Sequence, residues 1–212
     1  MFLRPIGTPL TIGMSGLAVA SFVQSGLDLG WVPKTQGTDV GLILLSVPFV
    51  LQLLACVFAY LARDGATGAT LGLLATTWLS LGLVHLVSAP GSTSPALGLL
   101  LVAAGTMLAL SAAAVTVAKP LPAAVFAVAA LRFVLAGVYE LSAAGVWRDV
   151  AGVVGLVITA VAAYCVLAFE LEDQRHGMLP TFRRHPGQGA TTDAAAGRFD
   201  GLEQEAGVRR AS

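Results

Sequence analysis

From Gly65 to Ala118 the chain carries no Asp, Glu, Lys or Arg. A soluble domain of this size leaves too much surface in water to hide such a stretch, whereas a bilayer accepts it. One helix needs roughly 20 residues to cross the hydrocarbon, so the run is too long for a single span. Its middle, Ser88-Ala-Pro-Gly-Ser-Thr-Ser-Pro95, is dense in turn formers and divides it in two. The rest of the chain follows the same rule. It is 56% hydrophobic and 11% charged, against roughly 25% charged in ordinary soluble domains. More than half of its charges fall from Glu170 onward. The expected fold class is all-α, a polytopic membrane protein built as a six-helix bundle with a disordered C-terminal tail.

The spans are expected at about residues 8–27, 40–62, 67–87, 95–117, 121–143 and 150–169, within a transmembrane domain of residues 1–175. A tail of residues 176–212 follows. After Pro186 it holds Gly, Ala, Thr and mixed charge with little apolar content, the composition of a disordered segment. Arg4 and the small-x-small triplet Ala18-Val19-Ala20 admit a cleaved signal. Pro9, Gly13 and Gly16 interrupt the apolar run, however, and its pattern continues past Ala20, which favours a retained span. Asp28 to Asp39 reads as a polar loop with Trp31 as an interfacial anchor, and Trp147-Arg148-Asp149 ends a second loop. With the N-terminus cytoplasmic, the inner side holds Arg4, Arg63, Lys119, Arg175, Arg183 and Arg184, and the outer side Lys34 and Arg148. The Lys/Arg rule therefore puts both termini in the cytoplasm, and the expected location is the inner, or plasma, membrane.

Against this apolar background the polar residues inside spans carry the information. Arg132 lies near the middle of the fifth span, where an ionisable group is costly unless it faces protein or water. Gln52 and Trp78 fall at the same depth, and these three are the candidate substrate pathway. His85, Glu140, Gln24 and Tyr139 fall nearer the outer surface and form a candidate vestibule, with Glu140 or His85 handling protons. Glu140 sits eight residues from Arg132, about 12 Å along a helix axis, so it cannot neutralise it. Arg132 must meet an acceptor on another helix or stand open to a substrate anion. Structural readings stand beside each role. His85 and Glu140 suit a wet interface, Gln52 suits interhelical hydrogen bonding, and Trp78 suits packing.

Other chemistry finds no support. Cys56 and Cys165 each sit in an apolar run without a CxxC spacing, as inert buried thiols do. HExxH, GxSxG and paired catalytic carboxylates are missing, so neither an enzyme nor a cofactor or metal is expected. No basic patch with interleaved aromatics points to nucleic acid. Gly68 and Gly72 have the GxxxG spacing that lets helices approach, and Ala112-Ala113-Ala114 offers a flat face.

Three stretches carry a resemblance. Pro9-Leu10-Thr11-Ile12-Gly13 resembles the Asn-Pro-x-Pro-Leu-Gly-Leu signature of the YaaH-like (SatP-type) acetate uptake transporters. Phe49-Val-Leu-Gln52-Leu-Leu-Ala-Cys56, with Thr67-Gly-Ala-Thr70 after a short charged turn, is similar to that family's Gln-containing second helix and Phe-Gly-Ala-Thr turn. Glu172 to Leu179-Pro180 resembles its closing acidic segment. Ile6 and Gly7 replace the family's Asn-Pro start, Ala59 stands near a usual Glu, and Arg132 is outside the family pattern. The resemblance implies a six-helix protomer, assembled as a homo-oligomer, a hexamer by that likeness, that moves acetate or a similar monocarboxylate with a proton through the lipid bilayer. A passive channel for small neutral solutes such as urea or amides, and a non-transporting scaffold or sensor, are the alternatives.

Overall fold

A computed structural model describes residues 2–3, 8–174 and 208–209, with side chains described for 8–171. Phe2–Leu3 (β1) pairs antiparallel with Val208–Arg209 (β2). The expected disorder after Pro186 otherwise lies outside the described residues. Among the described residues between these strands the elements are helical: α1 Pro9–Asp28, a short 3-10 turn Lys34–Gln36, α2 Gly37–Ser46, α3 Pro48–Leu61, α4 Gly65–Val87, α5 Pro95–Val115, α6 Pro120–Ser142 and α7 Gly145–Gln174. With α2 and α3 taken as one broken span, six segments are long and apolar enough to cross a membrane.

Local sequence sets these boundaries. Pro9, Pro48, Pro95 and Pro120 each open a helix, where a missing N–H is harmless and the fixed φ suits the first turn. Asp64 caps α4 by accepting from Thr67 N at 3.3 Å, and Ser94 caps α5 by accepting from Leu97 N at 3.3 Å. Pro48 cannot donate into the preceding turn, so the second span divides at Val47 instead of running through. Two expected loops shrink. Asp28 is the last residue of α1, and Arg148 and Asp149 belong to the first turns of α7.

The helices close into a ring in which α1 packs on α7 and α3, α4 on α2 and α3, α5 on α4 and α6, and α6 on α7. Neighbours run antiparallel throughout. Gly13 faces Ala55 while Gly16 faces Gln52, and Gly98 faces Gly137 while Gly105 faces Ala130. Backbones touch at two seams. A Cβ on Gly98 would lie 2.9 Å from Gly137 O, and one on Gly137 2.8 Å from Gly98 O. Gly41 and Gly82 repeat this between α2 and α4, at 2.8 and 2.9 Å. Gly68 and Gly72 face Tyr60 and Cys56 of α3, so their spacing serves the α3–α4 contact. Of the three consecutive alanines on α5, Ala112 is buried and Ala113 and Ala114 face outward.

Met14, Leu17, Leu44, Leu71, Leu74, Leu108, Phe126 and Ile158 fill the interior. Leu53, Leu54, Val57 and Phe58 of α3 and Val153, Val157 and Leu167 of α7 point outward, as a lipid-facing surface requires. One helix turns a whole polar face into this interior. On α1, Ser21, Gln24, Ser25 and Asp28 follow the i, i+3, i+4, i+7 spacing of a single face, and all four are buried.

Candidate functional site

This polar face of α1 meets Arg132 of α6. Arg132 is 2% exposed, and its Nη2 donates to Asp28 Oδ2 at 3.0 Å. Gln24 Nε2 donates to the other oxygen, Asp28 Oδ1, at 2.9 Å. A carboxylate without a proton only accepts, so the Gln24 amide presents N–H to Asp28 and its carbonyl to His85, whose Nε2 lies 3.1 Å from Gln24 Oε1. His85 therefore carries a proton on Nε2. The result is one chain of polar groups, His85–Gln24–Asp28–Arg132, drawn from α4, α1 and α6.

Arg132 is held on its other sides by rings and by a small residue. Its guanidinium carbon lies 5.6 Å from the centroid of Trp78 and 5.9 Å from that of Phe133, within cation–π range. The two rings pack on each other at 5.2 Å. Gly155 of α7 completes the wall. A Cβ there would come within 2.2 Å of Ser25 Oγ and 2.8 Å of Arg132 Nε, so the absent side chain is the space the arginine occupies.

A cavity of about 80 Å³ opens above this pair at the end of the bundle that carries the α4–α5 turn. Holding one water takes roughly 10–15 Å³, so there is room for a few waters or one small solute. Asp28 and Arg132 form part of its floor, Gln24 and His85 one wall, Tyr139 and Glu140 another, with Lys34 and Arg148 at the rim. The Lys34 stem lies across Gly91, 2.8 Å from where a Cβ would stand. Arg148 sits 5.9 Å from the Tyr139 ring and pairs with Asp149 at 2.8 Å.

The sequence-derived candidates thus divide. Arg132, Gln24, His85, Tyr139 and Glu140 line the cavity, and Trp78 backs Arg132. Glu140 also accepts from Ser94 N at 2.6 Å, tying α6 to the start of α5. Gln52 is elsewhere. It donates to Gly13 O at 3.3 Å, joining α3 to the first half of α1. Asp28, Ser25 and Gly155 were not singled out in the sequence. For Asp28 the available signal was its i+4 relation to Gln24, hidden by the turn residues that follow.

The fold and this site define a multi-pass membrane protein with a polar cavity entering its helical ring. The solved structure of the bacterial acetate channel SatP shares the fold, with a TM-score of 0.73 at 18% sequence identity over 82% of this chain and 98% of that one. At that identity the likeness is one of architecture. No protein-family model and no curated protein matches the sequence.

Proposed function

We propose that this chain carries acetate or a similar small monocarboxylate across the inner (plasma) membrane, accompanied by a proton. The observation that supports the reading most is the cavity ending on Arg132, inside a fold shared with an acetate channel. The planar guanidinium fork suits a carboxylate, and Lys34 and Arg148 at the rim favour entry of an anion. His85, joined to Asp28 through Gln24, is the cavity-wall group best connected for moving a proton. Glu140 serves more as the tie between α5 and α6. The reading keeps both termini cytoplasmic, residues 1–175 as the membrane domain with 176–212 as its tail, and a homo-oligomer, with the hexamer drawn from the family resemblance.

Counterflow of labelled acetate in proteoliposomes tests it. Saturable, pH-dependent exchange is the expected result, and equal passage of urea and acetate would overturn it in favour of a neutral-solute channel. One observation favours that second reading: Asp28 already neutralises Arg132. Sealed vesicles that pass neither solute would leave a scaffold.

A further inference from the structure

We propose that Asp28 is the proton site of this protein: binding of a monocarboxylate at the cavity floor places a proton on Asp28, taken from solvent, and frees Arg132 for the bound anion. The inference rests on the monocarboxylate reading and names the residue that carries its coupling. It begins with how Asp28 is held. An Arg–carboxylate pair is frequently bidentate, yet here Gln24 takes Oδ1 and leaves only Oδ2 for Arg132. Both partners reach the cavity. The guanidinium has five donors, and the contact with Asp28 is made through Nη2 alone.

Charge counting supplies the rest. Empty, the floor holds one cation and one anion. A monocarboxylate beside Arg132 puts two anions against that cation, in a site where few waters screen them. Two carboxylates sharing one site do not both stay ionised; one takes a proton. Written out, the Asp28 carboxylate and a solvent proton give the acid, and Arg132 exchanges one carboxylate partner for another. Net charge at the floor is the same before and after, so anion and proton enter together.

The other titratable groups around Asp28 fit this assignment. Arg132 and Tyr139 face it from α6 and Arg148 from α7, with Glu140 also on α6, His85 on α4 and Lys34 in the 3-10 turn. Glu140 is held by Ser94 N and Arg148 by Asp149. His85 meets Asp28 only through Gln24, which makes it an entry point and leaves Asp28 as the acceptor against the arginine.

The test is calorimetric titration of sodium acetate into the purified full-length protein, in two buffers of different ionisation enthalpy. The difference counts protons taken up per acetate. For the wild type about one proton per acetate is expected, with affinity falling about tenfold per pH unit through the neutral range. Asp28→Asn retains an oxygen for Arg132 and should bind acetate with no proton uptake and a flat pH profile. Asp64→Asn, a carboxylate outside the cavity that pairs with Lys119, should keep the uptake of about one proton. Wild-type binding without proton uptake, a count needing no variant, overturns the proposal while sparing the acetate reading. Uptake retained by Asp28→Asn, or lost in Asp64→Asn with Asp28 intact, overturns it too. Absence of acetate binding by the wild type removes the reading beneath it.

Discussion

Arg132 and Asp28 lie 104 residues apart and meet at 3.0 Å, so the charge at the middle of α6 is balanced from the last residue of α1. A buried pair of this kind contributes little net stability when whole, but removing one partner strands the other.

The first prediction follows from that asymmetry. Arg132→Leu should destabilise the protein by about 3–5 kcal/mol, because Asp28 is left without its cation. Arg132→Leu combined with Asp28→Leu should recover much of this loss while failing to exchange acetate. Thermal melting in detergent, paired with counterflow, reads both. A single mutant as stable as the wild type would show that the pair is not what holds Asp28.

Gly155→Ala should also destabilise, by about 1–3 kcal/mol as overpacking does, since the new Cβ falls 2.2 Å from Ser25 Oγ. Adding Ser25→Ala removes that oxygen and should return part of the stability. A double-mutant cycle on Tm measures the coupling, and simple additivity would contradict the contact.

At the α5–α6 seam the obstacles include backbone carbonyls, which cannot swing aside as the Leu141 and Val102 side chains can. Gly137→Ala and Gly98→Ala should each lose about 1–3 kcal/mol. Gly37→Ala, where a Cβ meets nothing within 4 Å, should change Tm little. Comparing the three melts tests whether close approach, rather than glycine content, matters.

At the opposite end of the bundle Lys119 pairs with Asp64 and donates to Thr67 Oγ1 at 3.0 Å. Burial pushes the Asp64 carboxyl up, but the hydrogen bonds from Lys119 and Thr67, with the Lys119 charge, outweigh it and hold it below the usual carboxylate range. A lowered folded value means the stabilisation is present above the unfolded value of 3.8 and lost as pH falls through the folded one. Asp64→Asn should therefore lower Tm at neutral pH, with the difference shrinking below about pH 4. A constant difference across pH would mean the carboxylate charge plays no part.

The spans were legible because hydropathy and length constrain them strongly, and Arg132 stood out because few side chains are so costly at that depth. Asp28 escaped notice for a physical reason. It precedes Gly30 and Pro33, signals for a loop, yet the bundle folds around that end of α1 and buries it. Gln52 shares its expected depth with Arg132, but depth does not fix which way a helix faces, and Gln52 faces Gly13. Among 24 glycines, the Gly98–Gly137 and Gly41–Gly82 contacts follow from pairings between helices, which spacing within one helix does not encode.

The packing of α1 on α7 bears on how the chain is made. Translation delivers α1 before α7, so the ring stays open on one side until α7 has been made. Until then the buried face of Ser21, Gln24, Ser25 and Asp28 lacks the wall that Gly155 provides. Arg132 emerges in between, and an arginine at a helix centre costs about 2.5–3.5 kcal/mol on insertion. An already inserted Asp28 offers it a partner on arrival. A nascent chain halted before Gly145 would lack the α7 wall that Gly155 sets against Ser25 and Arg132, leaving that side of the ion pair open.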